Sequence, residues 1–180
     1  MPDATWLVVI DAQCVFAAAD SPWSTPGFGA AIKRARQLAA GFDGRTVLTR
    51  FMPPAQPAGG WADYYEHWDF ARDPSAEHWS LVDGFGDAPV VDLPTLSKWS
   101  SQLEAVVGTH PTLVLCGVST DCCVLSTALA AIDAGARVRV VADACAAEPT
   151  AHRSAIEILH RRAPLIAVTT VAQELALARA

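Results

Sequence analysis

Six short apolar runs separated by loops and helical patterns constrain this chain more than any other feature. They are Thr5–Ile10 (TWLVVI), 45–51 (RTVLTRF), 88–93 (APVVDL), 113–116 (LVLC), 137–142 (RVRVVA) and 164–168 (PLIAV). The first is continuously apolar, as expected of a strand buried on both faces. Helical patterns fall at 30–40, where Ile32, Ala35, Leu38 and Ala39 share a face before Gly41, and near 100–107, 124–134, 150–161 and 171–178. Strands alternating with helices imply a parallel sheet covered on both sides. The expected fold is therefore α/β: a three-layer, doubly wound domain with a central, mainly parallel six-stranded sheet in the order 3-2-1-4-5-6. The chain of 180 residues suits a single domain over 1–180.

Composition narrows the function. A formal charge of -6 without a Lys/Arg cluster argues against a nucleic-acid partner. There is no apolar run of 18 residues and no basic-then-apolar leader pattern, so no membrane partner or signal segment is expected. The five cysteines are irregularly spaced and include no CxxC. A disulfide framework or zinc site is not expected, and a reducing cytoplasm is the natural compartment. No GxGxxG or GxxxxGK[ST] occurs, so no nucleotide cofactor is expected either.

The stretch from Leu113 to Gly135 reads as a buried strand, a tight turn and a helix. Thr120 and Asp121 are residues of the N-cap type, and Cys122 and Cys123 stand in the first turn. A thiol there faces the positive end of the helix dipole, which lowers its pKa and suits a nucleophile. The alternative is two small core residues. Asp11 follows the first buried strand, where a carboxylate must be paired, at an edge, or functional; a turn-capping role is the alternative. Strands one and four are neighbours where the strand order of a doubly wound sheet reverses, and ligands bind beyond their C-terminal ends. Topology therefore brings Asp11 and the two thiols to one crevice. Lys98 is conspicuous in a run without other positive charge, although alone it would be read as a surface lysine. Trp61, Tyr64, Tyr65 and Trp68 have helical spacing; packing against the body or a subunit partner is favoured over a ligand wall. His67 and His78, with nearby Asp and Glu, lack metal-ligand spacing.

With Asp11, Lys98 and Cys123 in that chain order, the sequence resembles the isochorismatase-like cysteine hydrolases, a family that includes nicotinamidases, N-carbamoyl amidohydrolases, ureidoacrylate amidohydrolases and isochorismatases. Three motifs carry the resemblance: Val9-Ile-Asp11-Ala-Gln13-Cys-Val-Phe16, Leu96-Ser-Lys98-Trp-Ser, and Gly117-Val-Ser-Thr-Asp-Cys-Cys123-Val-Leu-Ser-Thr-Ala. It runs from about Trp6 to Leu175. It implies Cys123 as nucleophile, Asp11 as general base and Lys98 as the cation that keeps Asp11 ionised and helps the thiolate form. It also implies an oxyanion hole of the Ser119 and Cys123 amides, with a cis peptide at Val118–Ser119.

Phe16, Trp23 and Gln13 are the expected substrate contacts, and Asp143 is expected to be structural. Two departures matter. The metal-binding Asp-x-His of nicotinamidases is replaced by Arg50-Phe-Met-Pro-Pro, so no metal and no nicotinamidase activity are expected. The family's common Asn after Gln13 is Cys14. The resemblance implies a metal-independent hydrolase that cleaves a C–N bond of a small amide, ureide or carbamoyl compound through a Cys123 thioester. Isochorismatase-type vinyl ether hydrolysis and a non-catalytic binding subunit are the alternatives. The expected partners are a small-molecule substrate and further copies of the chain in a homo-oligomer.

Overall fold

In the structure, a computed structural model, residues 4–73 and 77–179 are described. Six strands form one sheet: β1 (Thr5–Ile10), β2 (Thr46–Phe51), β3 (Val90–Leu93), β4 (Thr112–Val118), β5 (Arg137–Ala146) and β6 (Ile166–Thr169). Their order is 3-2-1-4-5-6, and every pairing is parallel. Among the described residues, seven helices flank the sheet: α1 (Cys14–Ala17), α2 (Phe28–Ala39), α3 (Gly60–His67), α4 (Ser101–Val107), α5 (Leu125–Asp133), α6 (Pro149–His160) and α7 (Val171–Leu177).

The central strands supply the core. Leu7 to Ile10 on β1 and Leu113 to Cys116 on β4 are fully buried. Each large aliphatic side chain buried in this way contributes about 1.5–3 kcal/mol relative to exposure. Ala31, Ile32, Ala35 and Leu38 form the buried stripe of α2, which packs across β4 and β5. This is the face that the 30–40 pattern predicts.

β1 and β4 lie in register from Thr5 opposite Thr112 to Ile10 opposite Gly117, so their carboxyl ends finish level. Gly117 is required there. Its φ is +115°, and a Cβ would meet the Ile10 carbonyl oxygen at 2.1 Å. Beside it β4 and β5 slip: Leu115 pairs with Val140, but Gly117 pairs with Cys145. The extra residues let β5 continue to Ala146, so the strand does not stop at Asp143 as its sequence suggests. Asp143 is structural; its Oδ1 accepts from the Val171 amide at the start of α7 (2.9 Å).

The turn after β4 also differs from expectation. Thr120–Val124 is a wide π-helical turn that precedes α5. Neither Thr120 nor Asp121 caps it. The Thr120 hydroxyl is buried and pairs with His152 Nδ1 at 2.9 Å, while Asp121 faces solvent. The Cys122 and Val124 amides both reach the Ser119 carbonyl at 3.1 Å. The segment is wound one residue wider than an α-helix, which places Cys123 against the end of β1.

Candidate active site

Asp11 is the first residue after β1 and is completely buried. Its φ of +50° lies in the left-handed region, which Asp tolerates better than most residues. β2 supplies its first partner. Thr49, inside the apolar run, donates its hydroxyl to Asp11 Oδ1 at 2.8 Å. The Asp11 amide reaches the Thr49 carbonyl at 3.2 Å.

Lys98 comes from the segment between β3 and α4 and has no exposed surface, so the surface reading of this residue is wrong. Its Nζ lies 3.1 Å from Asp11 Oδ2 and donates to the Thr95 carbonyl at 2.7 Å. The ammonium also sits over the Phe51 ring, 4.8 Å from its centroid. Its backbone is tied to the nucleophile turn through one hydroxyl. Thr127 accepts from the Lys98 amide (2.8 Å) and donates to the Cys123 carbonyl (2.6 Å).

Cys123 is almost fully buried, and its thiol and the Asp11 carboxyl lie close enough for each to act on the other's proton. An acid, an ammonium and a thiol therefore meet where β1 and β4 end. The Val118–Ser119 peptide that leads into the turn is cis.

The electrostatics of the site differ from a simple helix-terminus thiolate. Contact with Cys122, burial and the Asp11 carboxylate together hold the Cys123 thiol well above its usual range, against the pull of Lys98. The lowering expected at a helix start is outweighed here by the contact with Cys122 and by burial, which agrees with Asp11 being needed to take the thiol proton. Burial raises the Asp11 pKa, while Lys98 and the hydrogen bonds from Thr49 and Cys123 restrain the rise. Asp11 is thereby a stronger base than a solvated carboxylate. Of two thiols in contact one ionises first; Cys122, the more exposed, is lowered by its contact with Cys123. Cys116 and Cys145 are buried thiols pushed upward by desolvation, Cys145 to about 12. They have the character of core residues.

A cleft of about 300 Å³ opens onto the Cys123 side chain. Phe16, Trp23, Phe51 and Tyr64 wall it on the β1–β2 side; Ser119, Cys122 and Asp121 lie at the nucleophile turn, and Glu148 follows β5. Trp23 is the centre of the aromatic wall, with ring centroids of six other aromatic side chains 5.1–6.2 Å away. The 61–70 stretch packs against this wall and so belongs to the body of the domain. Tyr64 does both jobs, packing on Trp23 and facing the cleft, where burial pushes its hydroxyl up to about 12.

Phe16 and Trp23 thus line the cleft, but Gln13 does not. Its side-chain amide donates to the carbonyls of Phe51 (3.0 Å) and Trp79 (2.9 Å) and accepts from the Phe51 amide (2.8 Å). All of its polar atoms are engaged with backbone, and the residue is completely buried. Its role is to pin β2 and the Trp79 segment to the start of α1. Cys14 begins α1 and is not among the cleft's lining residues. Arg50 is turned away in a bidentate pair with Asp92. Among the described residues no cluster of three or more His, Cys, Asp or Glu side chains could hold a metal.

Sequence reasoning missed Thr49, Thr95 and Thr127. Thr49 had a signal, a hydroxyl within a buried strand run. Thr95 acts through its carbonyl, which no side-chain pattern reveals.

A doubly wound parallel sheet with an acid, an ammonium and a thiol gathered beyond the ends of its central strands defines an α/β class with a crevice where the strand order reverses. The isochorismatase domain model matches residues 5–173, and the chain belongs to that family. Solved structures share the fold across nearly the whole chain. A cysteine hydrolase from Pseudomonas syringae pv. phaseolicola superposes with a TM-score of 0.85 at 18% identity, covering 99% of this chain and 94% of its own. An isochorismatase family protein from Desulfovibrio vulgaris gives 0.81 at 21%, covering 98% and 100%. An N-carbamoylsarcosine amidase from Thermoplasma acidophilum gives 0.73 at 20%, covering 95% and 97%. The sequence matches no curated protein.

Proposed function

We propose that this protein is a cysteine hydrolase that cleaves a C–N bond of a small amide, ureide or carbamoyl compound without a metal. The observation that carries the reading is the Cys123 thiol held against a buried carboxylate, itself paired with a buried ammonium, at the floor of an open cleft. A core thiol needs neither partner, and a binding shell needs no buried ion pair.

The chemistry follows from the geometry. Asp11 takes the proton of Cys123 as the sulfur attacks the carbonyl carbon. Because contact with Cys122 and burial hold the thiol above its usual range, removal of the proton and attack are coupled. In this reading the amides of Ser119 and Cys123 receive the developing oxyanion. As the C–N bond breaks, Asp11 passes its proton to the leaving nitrogen. A water then attacks the thioester, giving a proton to Asp11 while the C–S bond breaks. That proton returns to the sulfur. Lys98 keeps Asp11 anionic between steps, and Thr49 and Thr127 hold the acid and the nucleophile turn in place.

Replacement of the nicotinamidase Asp-x-His by Arg50-Phe-Met-Pro-Pro supports the metal-independent form. The test is ammonia release from a panel of primary amides, ureides and carbamoyl compounds. Turnover that disappears in both Cys123→Ala and Asp11→Asn supports the reading. Turnover that survives Cys123→Ala, or that Cys122→Ala alone abolishes, overturns it.

A further inference from the structure

The cleft has an uneven charge distribution that the proposed reaction does not use. Two of its lining residues carry charge, Asp121 and Glu148, and both are acidic. Among the described residues, no lysine, arginine or histidine lines it. Lys98 is fully buried and paired with Asp11. Arg50 is held by Asp92, outside the cleft.

The N-terminus of α6, which could otherwise attract an anion, is already filled. Glu148 Oε2 accepts from the Thr150 amide at 2.8 Å and the Ala151 amide at 3.0 Å. This contact engages Glu148 Oε2, while Asp121 is exposed on the turn that carries Cys122 and Cys123. Among the described residues, an anionic substrate finds no cationic side chain in the lining and meets two like charges.

The charges are also segregated by side. Strand order puts β2 and β1 on one side of β4 and β5 on the other. Phe16, Trp23 and Phe51 follow or end β1 and β2, whereas Glu148 follows β5. The sulfur lies between an apolar wall and an acidic rim. The cavity and its thiol define the site; the carboxylates set its sign.

From this arrangement we propose that the cleft selects two-sided substrates: an apolar or aromatic group on the β1–β2 side, the scissile carbonyl at Cys123, and an organic cation (ammonium, amidinium or guanidinium) on the β5 side. This inference rests on the cysteine-hydrolase reading and adds the substrate's charge to it. Partly exposed carboxylates acting on a nearby cation favour it over a neutral isostere by about threefold to tenfold.

The test uses three methanethiosulfonates of the same chemistry: trimethylammonioethyl (cationic), ethyl (neutral) and sulfonatoethyl (anionic). Each transfers its thioalkyl group to a thiolate sulfur and releases methanesulfinate. Rates at Cys123 are read by peptide mapping in the full-length Cys122→Ser protein and divided by rates with free 2-mercaptoethanol. The normalised cation-to-anion ratio is expected to be about tenfold or more. It should fall at least threefold in Asp121→Asn, and further in Asp121→Asn with Glu148→Gln. The single variant leaves the Glu148 cap of α6 intact. Since the buried Asp11–Lys98 pair is the same in every protein compared, the fall in the variants isolates the rim.

A normalised ratio of one or less, or a ratio that neither variant moves, overturns the inference while leaving the hydrolase reading in place. Failure of all three reagents to reach Cys123 overturns both.

Discussion

Replacing Lys98 by Met removes one charge from a fully buried pair while keeping most of the side chain's volume. Asp11 then keeps the hydrogen bond from Thr49 but loses its counter-ion. Breaking a buried ion pair from one side costs about 3–5 kcal/mol when the remaining group stays charged. Asp11 can reduce that cost by taking up a proton.

The sign follows from its shift. The folded-state pKa is already raised above 3.8 by burial, and Lys98 is the largest influence restraining it. Without Lys98 it rises further. A carboxyl with a raised folded pKa binds its proton more tightly when folded. Stability therefore falls as pH rises from the unfolded pKa to the folded one, by up to about 1.4 kcal/mol per pH unit, and is flat above. The wild type loses stability over the lower part of this range, and Lys98→Met continues to lose it to higher pH. Urea denaturation at pH 5, 6, 7 and 8 should show a gap between the two proteins that widens with pH. In parallel, the acid limb of the pH–rate profile should move to higher pH, because the base form of Asp11 appears later. A gap of the same size at every pH, with an unmoved acid limb, would refute the account of the pair.

Three further substitutions separate positioning from chemistry. Gln13→Ala removes three buried hydrogen bonds to backbone, and a loss of about 3 kcal/mol is expected by denaturation; an unchanged stability with a raised KM would instead restore Gln13 as a substrate contact. Gly117→Ala drives a Cβ into the Ile10 carbonyl and should cost about 3 kcal/mol or more, read as a lowered denaturation midpoint. Thr127→Val keeps the shape but breaks the link between the Lys98 amide and the Cys123 carbonyl; about 2 kcal/mol of stability should be lost, together with kcat.

Much of this architecture can be read from the order of the residues. Continuous apolar runs such as Thr5–Ile10 and Leu113 to Cys116 have few alternatives to buried parallel strands, and the crevice between β1 and β4 follows from strand order. What stays hidden is set by backbone geometry and by partners distant in sequence. Thr120 reads as a helix cap, yet its hydroxyl pairs with His152, 32 residues away. The extension of β5 past Asp143 depends on a slip against β4 that no periodicity records. Gln13 reads as a polar group near the site, but whether its amide faces ligand or backbone depends on Phe51 and Trp79. The helix-start rule for a lowered Cys123 pKa is local: it omits the contact with Cys122, the burial and the carboxylate that the fold brings alongside.

The account is tested most directly by the mass of the protein during turnover. Acid-quenching a reacting sample within a turnover and measuring intact and peptide masses should show one covalent adduct, equal to the substrate's acyl group and carried by Cys123. It should accumulate when the second, water-dependent step is slowed and be absent from Cys123→Ala. Turnover with no adduct at any time, or an adduct on Cys122 alone, would contradict the claim that Cys123 is the nucleophile.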